Sequence, residues 1–178
     1  MHSNDKIWEK RYKNAYSIAR YPYEQIISKI FNLTKEKREG LKGFGFGFGG
    51  GNHLWMLEKE NIDAWGIDIT EEAKTIALET ASKFGVKLNP EKLLVGNLDE
   101  IKSIDSEKFD FIIDRESIVQ LKFIDAKNYV DEFHRILKKD GFLISLLFSD
   151  CHEAINYGNY ENNGFYNSFS KGGFSAMG

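Results

Sequence analysis

The feature that most constrains this chain is a glycine-rich segment at residues 42–53, which reads KGFGFGFGGGNH. Glycine has no β-carbon, so its backbone turns sharply and lets a ligand approach closely. Leu54, Met56 and Leu57 follow at a spacing that predicts the inner face of a helix. The first N–H groups of that helix would be free to meet an anionic ligand group. The alternative is a low-complexity glycine/phenylalanine loop, because alternating glycine weakens a strand.

An acidic residue follows the glycine-rich segment at a distance that suits a nucleoside site. Asp68 lies 17 residues after Gly51 and ends the run Ala64–Asp68, which we predict to be a strand. A carboxylate in that place accepts hydrogen bonds from two ribose hydroxyls. An isolated Asp after a strand also serves as a turn or cap residue. Together, the loop and the carboxylate indicate an adenosine-containing ligand.

Short apolar runs alternate with amphipathic segments over residues 42–148, the pattern of an α/β fold with a parallel sheet. Thr70 and Asp125 stand where helix N-caps belong, and Gly85 and Gly141 stand where the helices should end. Two helical stripes are expected to pack on the sheet. The predicted strands are Ala64–Asp68, Leu93–Val95, Phe109–Ile113 and Phe142–Phe148; the stripes are Ala73, Ile76, Ala77, Ala81 and Phe84, then Ala126, Tyr129, Val130, Phe133 and Leu137.

The chain is predicted to be one domain with three parts. Residues 1–40 predict an N-terminal helical cap, and residues 41–150 predict the core of sheet and helices. Residues 151–178 hold six aromatic residues, five glycines and three charged residues, with no helix or strand periodicity. A long segment of this kind is either a lid over a functional site or a disordered tail, and the sequence leaves both open.

Composition excludes several classes of protein. The formal net charge of −3 argues against general nucleic-acid binding. No run approaches the ~20 apolar residues that span a bilayer, and the first residues lack the apolar stretch of a signal peptide. Cys151 has no partner in the chain for a disulfide, which favours the reducing cytoplasm. His2, His134 and Cys151 show no metal-ligand spacing, so we expect no metal site.

Five motifs occur in order along the chain: GFGGG at 47–51, GID at 66–68, VGNL at 95–98, FDFIID at 109–114 and FHRILKKDGFLI at 133–144. This ordered set resembles the motifs of the class I S-adenosylmethionine-dependent methyltransferases. The run at 135–141 resembles that family's helix-to-strand turn, which dinucleotide oxidoreductases do not share. The resemblance covers about residues 40–150 and implies a Rossmann-like parallel sheet with helices on both faces. The cofactor would then lie across the carboxyl ends of the strands.

The resemblance implies a binding role toward S-adenosylmethionine for each matched position. The implied cofactor residues are Gly47, Gly49 and Gly51 beneath the methionine part, Asp114 toward its amino or sulfonium end, Asp68 at the ribose, and Ile69, Asn97 and Leu98 around the adenine.

The sequence departs from the family pattern in two places. The family commonly has an acidic residue two positions before its first motif glycine, where it helps to bind the methionine amino group; here that position is Gly45. After the fifth strand the family usually adds further strands, including an antiparallel hairpin. The short C-terminal part predicts that these strands are missing, which would leave an exposed sheet edge.

The candidate catalytic residues are Asp114, Glu116 and His152, each at or just beyond the end of a predicted strand. One of them would act as a base if the methyl acceptor is a hydroxyl, and Arg115 would hold an anionic acceptor. The alternatives stay open: residues 114–116 also suit a salt-bridged loop, and a histidine in a polar tail also suits a solvent-facing position.

The sequence therefore predicts an S-adenosylmethionine-dependent methyltransferase acting on a small-molecule or sugar-type acceptor. Asp114–Ser117 differs from the Asn/Asp-Pro-Pro-aromatic signature of enzymes that methylate DNA amino groups, so no nucleic-acid partner is expected. The choice of acceptor rests on fold-level analogy. Two alternatives are an NAD(P)-binding oxidoreductase and a truncated, non-catalytic methyltransferase-like module. The oligomeric state is left open.

Overall fold

A five-stranded parallel sheet forms the centre of the fold in the computed structural model, which describes residues 3–14, 18–35, 38–161 and 165–171. The strand order is β3-β2-β1-β4-β5, so β1 lies in the middle of the sheet. A separate antiparallel pair is formed by β6 and β7. The strands are β1 Lys42–Phe46, β2 Asp63–Asp68, β3 Leu93–Val95, β4 Phe109–Arg115, β5 Leu137–Leu146, β6 Asn159–Glu161 and β7 Phe165–Asn167.

Helices cover both faces of the sheet, which confirms the predicted Rossmann-like α/β architecture. One hydrophobic cluster joins one face to the first four helices, and a second cluster joins the other face to the last two. The first two helices lie within residues 1–40, the segment that was predicted to be an N-terminal helical cap. The helices are α1 Ser3–Lys13, α2 Glu24–Thr34, α3 Asn52–Lys59, α4 Glu71–Lys83, α5 Leu98–Lys102 and α6 Phe123–Ile136.

The first part of the glycine-rich segment forms the central strand, β1, which was not among the strands named from the sequence. The side chains of Phe44 and Phe46 are buried on the face of the sheet that α5 and α6 cover. Gly43 and Gly45 face the other way, where a β-carbon on Gly45 would lie 3.0 Å from Leu54 Cδ2. The alternating glycines therefore let α3 pack close to the sheet, and this packing outweighs their poor strand propensity.

Helix α4 was predicted correctly at both ends. The Thr70 hydroxyl accepts a hydrogen bond from Ala73 N at 3.1 Å, which makes Thr70 the N-cap. Gly85 follows the helix with φ +70°, the left-handed conformation that ends helices. The alanines of the predicted stripe, Ala73, Ala77 and Ala81, are fully buried.

The predictions for α6 were wrong at four positions, one of which is Leu137, the first residue of β5 rather than part of the helix. The helix begins at Phe123 with no side-chain cap, so Asp125 lies inside the first turn. Val130 is 45% exposed, because the helix buries Tyr129 and Phe133 instead. The helix ends at Ile136, and Gly141 lies within β5 rather than at a helix stop.

Strand β5 starts five residues earlier than predicted because it contains a bulge. Leu137 pairs with Phe109 and Phe142 pairs with Phe111, so the residues between Leu137 and Phe142 bulge away from β4. Within the run at 135–141, which was predicted to be a helix-to-strand turn, residues 137–141 therefore belong to the strand.

The C-terminal segment has more regular structure than predicted. A short 3₁₀ helix runs over Glu153–Tyr157, and β6 and β7 pair as a hairpin in which Tyr160 faces Tyr166. Residues 162–164 and 172–178, including Phe174, lie outside the described residues. The choice between lid and tail therefore stays open.

Candidate functional site

The glycine loop connects β1 to α3 at the carboxyl edge of the sheet. Gly47, Gly49 and Gly51 all have left-handed backbones, with φ of +63°, +52° and +72°. Such backbones strain residues that carry a β-carbon, so the chain reverses here most easily through glycine. Phe48 turns into the hydrophobic core beneath the loop. The surface of the loop is therefore largely backbone.

Two of these glycines also permit close packing with neighbouring elements. A β-carbon on Gly51 would lie 2.6 Å from Ala77 Cβ of α4. A β-carbon on Gly47 would collide with the hydroxyl of Ser117, which follows β4. The loop is thus enclosed between α4 and the segment after β4.

Asp68 lies directly against this loop at the end of β2. Its Oδ2 accepts a hydrogen bond from Gly49 N at 2.9 Å. The residue is only 5% exposed, and burial raises its pKa to about 6, although hydrogen bonds from Gly49 and Thr70 N–H groups oppose the shift. The structure therefore brings the two principal predicted features together.

A tyrosine that sequence reasoning missed covers the same carboxylate. The hydroxyl of Tyr12, a residue of α1, donates to Asp68 Oδ2 over 3.4 Å. A β-carbon on Gly49 would lie 3.3 Å from the Tyr12 hydroxyl oxygen. Burial, followed by the negative charge of Asp68, raises the pKa of Tyr12, so its hydroxyl stays protonated. No local pattern marks this contact, because 56 residues separate the two side chains.

The residues predicted around the adenine lie at the ends of β2 and β3. The register pairs Asp68 with Val95, which places Ile69 and the residues after Val95 at one edge. Ile69 and Leu98 are half-buried. Asn97 is exposed and caps α5: its side chain accepts from Asp99 N at 3.0 Å, and Glu100 closes the capping box.

Asp114 is the penultimate residue of β4, lies beside the glycine loop and is fully buried. Its Oδ1 accepts from Ser117 N at 3.0 Å and from Ile118 N at 3.1 Å, while its Oδ2 accepts from the Ser145 hydroxyl. Burial raises its pKa. In the structure this carboxylate holds the segment after β4 in place.

The next residue in the chain with a predicted catalytic role is Glu116. Its backbone is left-handed, with φ +58°, and its N–H donates to Leu146 O at 2.9 Å. A non-glycine residue in that conformation is often found at functional sites. Its carboxylate lies 3.4 Å from the Arg115 guanidinium and is partly exposed. Glu116 is therefore positioned at the carboxyl edge with a nearby cation.

His152 lies in the C-terminal segment, beyond the end of β5. Its Nδ1 accepts from Ala154 N at 3.1 Å, so the residue caps the short 3₁₀ helix. The ring is exposed and lies 5.3 Å from the Phe148 ring.

The segment before α2 packs over the start of α3, a contact that the sequence did not predict. Asn52 Nδ2 donates to Tyr21 O at 2.9 Å, and Tyr23 N donates to His53 Nε2 at 3.2 Å. His53 lies in the first turn of α3 and is buried, and burial together with the charge of Arg115 lowers its pKa to about 4.

A groove of about 420 Å³ lies at the opposite, amino end of the strands. Asp110 lines it and accepts hydrogen bonds from Lys42 N at 2.8 Å and Lys138 Nζ at 2.7 Å. These contacts complete the junction of β1, β4 and β5 and are remote from Asp68.

Two kinds of feature are absent from the described ranges. No three His, Cys, Asp or Glu side chains in the part of the chain that the structure describes are grouped so that they could hold a metal ion. Within the same described ranges, every helix is too short or too polar to cross a bilayer.

The sequence matches the family model described as a methyltransferase domain over residues 44–145. The match includes the glycine loop, Asp68, Asn97 at the start of α5 and Asp114 in β4. The chain therefore belongs to the methyltransferase-domain family, whose members use S-adenosylmethionine.

Solved structures show the same fold at low sequence identity. The PH0226 protein from Pyrococcus horikoshii matches with a TM-score of 0.58 and 23% identity, over 79% of this chain and 62% of that one. An S-adenosylmethionine-dependent methyltransferase from Archaeoglobus fulgidus gives a TM-score of 0.53 and 14% identity, over 78% and 56%. The mmp1179 protein from Methanococcus maripaludis gives a TM-score of 0.59 and 18% identity, over 82% and 65%.

This chain spans less than two thirds of the length of each of those three structures. No curated protein matches the sequence significantly.

Proposed function

We propose that this chain is the cofactor-binding and catalytic domain of an S-adenosylmethionine-dependent methyltransferase that acts on a small-molecule or sugar-type acceptor. The observation that carries the proposal is the contact between the glycine loop and Asp68 at the carboxyl edge of a parallel sheet. That edge is where open α/β sheets bind their ligands. Membership of the methyltransferase-domain family supports the same reaction class.

The residues present fit the cofactor. Gly47, Gly49 and Gly51 offer a bare, left-handed backbone beneath which the core is already packed, so a ligand can lie against the main chain. Asp68 offers carboxylate oxygens to ribose hydroxyls, and Ile69 and Leu98 offer half-buried apolar surface to a purine ring. Asn97 would approach the adenine from its cap position at the start of α5.

When bound, the cofactor supplies an electrophilic methyl group on a sulfonium. The task of the protein is then to align the acceptor with that methyl group and to exclude water. Such alignment lowers a barrier by roughly 7 to 11 kcal/mol. Deprotonation of a hydroxyl acceptor by a nearby base contributes a further ~10²- to 10⁴-fold in rate.

Among the three candidate bases, Glu116 is placed best for contact with an acceptor. Its carboxylate is partly exposed at the carboxyl edge, whereas both oxygens of Asp114 are already engaged within the fold. We assign Asp114 to positioning the segment after β4 around the ligand. His152 would serve as base if the C-terminal segment folds over the site.

Isothermal titration calorimetry tests the proposal. We expect S-adenosylmethionine and S-adenosylhomocysteine to bind and NAD to show no competition with them. Failure of both adenosyl ligands to bind at millimolar concentration would overturn the proposal and would favour a non-catalytic module. No observed feature favours the oxidoreductase alternative over the family match at residues 44–145.

A further inference from the structure

The amino-acid end of the proposed cofactor site lacks a carboxylate on β1. Gly45 occupies the position at which related sequences commonly carry an acid. A β-carbon at this position would lie only 3.0 Å from Leu54 Cδ2. The ammonium group of a bound amino acid therefore has no acidic partner on this strand. An amino acid also carries a carboxylate, which a cation would bind instead.

Such a cation, Arg115, lies at the end of β4. Its guanidinium carbon lies 4.0 Å from the centre of the Tyr23 ring, and its Nη2 donates to the Tyr23 hydroxyl. Its Nε is fully buried and has no hydrogen-bond partner among the described residues. Leaving a buried donor on a charged group unpaired is costly, so an acceptor is expected at that atom.

The location of Arg115 matches the methionine end of the proposed site. Asp114, the residue before it, pairs with Phe46, the residue before Gly47. The charge of Arg115 also acts on His53 in the first turn of α3, where it helps to lower the pKa of the imidazole. Arg115 therefore lies near both the glycine loop and the start of α3.

The surroundings of Arg115 hold its side chain ready for an anion. Stacking on Tyr23 restricts the guanidinium, so less conformational entropy is lost when it binds a ligand. Its contact with Glu116 is long, at 3.4 Å between Nη2 and Oε2. A carboxylate that meets Nε and Nη2 together forms the paired geometry that arginine favours.

We propose that Arg115 binds the carboxylate of the cofactor's amino-acid part, so that this chain holds that end by its carboxylate rather than through an acid on β1. This inference rests on the proposed function, since it assigns a subsite of the same cofactor. It makes the amino-acid carboxylate a main contributor to affinity.

Calorimetry with three ligands tests the assignment. S-adenosylhomocysteine carries the whole amino acid, decarboxylated S-adenosylhomocysteine keeps the amine alone, and 5′-methylthioadenosine lacks both groups. We expect the wild type to bind S-adenosylhomocysteine at least ~10-fold more tightly than the other two. Arg115→Gln should remove that advantage and leave the affinity for the other two ligands within about 2-fold, and Arg115→Lys should retain part of it.

Arg38 provides a matched control. Its guanidinium lies 4.1 Å over the Phe31 ring, its Nε is also buried without a partner among the described residues, and it precedes β1 at the opposite end of the sheet. Arg38→Gln should leave all three affinities unchanged. Thermal unfolding of each variant shows whether it is folded.

The outcomes separate this inference from the proposed function. If Arg115→Gln binds S-adenosylhomocysteine as the wild type does, or loses all three ligands equally, the assignment of Arg115 is wrong while the function stands. If the wild type binds none of the ligands, the proposed function itself fails. Should Arg115→Gln fail to fold, full retention of the wild-type preference by Arg115→Lys contradicts the paired geometry.

Discussion

Gly49 N donates to Asp68 Oδ2 over 2.9 Å, which ties the glycine loop to the end of the neighbouring strand. Asp68 thereby fixes the loop and presents its carboxylate beside the bare backbone. Because Asp68 is only 5% exposed, its carboxylate is largely shielded from solvent. Buried polar groups of this kind are costly, and a ligand that completes their hydrogen bonds gains affinity.

Replacing Asp68 should weaken the binding of adenosyl ligands. Asp68→Ala removes the acceptor for the ribose hydroxyls and for Gly49 N, so we expect a loss on the order of 1–3 kcal/mol in calorimetry with S-adenosylhomocysteine. Asp99→Asn is a suitable control, because Asp99 is an acid whose side chain is 79% exposed. An unchanged dissociation constant in Asp68→Ala would remove Asp68 from the site.

Binding should also depend on pH through the same carboxylate. Burial raises the pKa of Asp68 to about 6, so its carboxylate form is the minor species at pH 5. The carboxylate form is the one that accepts hydrogen bonds from both ribose hydroxyls. We expect the affinity for 5′-methylthioadenosine, which lacks an amino acid of its own to titrate, to fall roughly 10-fold from pH 7 to pH 5. The Asp68→Asn variant should show a flat profile, and a wild-type profile just as flat would contradict the assignment.

The stability of the ligand-free protein should carry two opposing pH dependences. Asp68 binds its proton more tightly when folded, so its ionisation costs stability as the pH rises from about 4 to about 6. His53 has a folded pKa lowered to about 4, so its contribution is complete above about 6.5 and is lost as the pH falls toward 4. The two effects partly cancel in the wild type.

Asp68→Asn should therefore expose the effect of His53. We expect this variant to be more stable than the wild type at pH 7.5 by up to ~2 kcal/mol, and to lose stability more steeply on acidification below pH 6.5. Urea unfolding at several pH values measures both quantities. Parallel pH profiles for the variant and the wild type would show that Asp68 is not perturbed by burial.

Tyr12 should compete with the ribose for Asp68. A carboxylate has about four acceptor positions, and the Tyr12 hydroxyl uses one of them at 3.4 Å. Tyr12→Phe keeps the ring beside Trp8 and removes that donor, so we expect adenosyl ligands to bind up to ~5-fold more tightly. Weaker binding would show instead that the hydroxyl contacts the ligand.

Gly47 and Gly85 form a matched pair for testing the packing of the loop. Both have left-handed backbones, but a β-carbon on Gly85 meets nothing within 4 Å, whereas one on Gly47 collides with the Ser117 hydroxyl. Gly85→Ala should cost about 1 kcal/mol of unfolding free energy, and Gly47→Ala clearly more. The second substitution Ser117→Gly should restore part of the loss. Equal costs for the two alanine variants would contradict the observed packing.

The elements that could be predicted from the sequence are those whose burial leaves a local pattern. β2, β3 and β4 are apolar runs, and α4 has a periodic stripe of alanines with a cap at Thr70. β1 escaped prediction because its glycines carry no hydrophobic signal, and their role is to admit Leu54 and Phe111 from elsewhere in the chain.

In the candidate site too, some contacts could be predicted from the sequence and others could not. The nearness of Gly49 and Asp68 follows from the topology of parallel strands and was predicted. The cover that Tyr12 places on Asp68, and the bond from Ser145 to Asp114, join residues 56 and 31 positions apart. Contacts between residues so far apart in the sequence depend on how the helices and strands pack, so local residue spacing does not predict them.

The most direct test of the account is an NMR titration of the ¹⁵N-labelled protein with S-adenosylhomocysteine. The account predicts large shifts for the amides of Gly47, Gly49 and Gly51 and for Ile69, which follows Asp68. Gly40 and Gly85, two left-handed glycines with open space around them, should stay unchanged. Saturable binding that shifts residues elsewhere and leaves the loop amides in place would contradict the claim that this loop and this carboxylate form the nucleoside site.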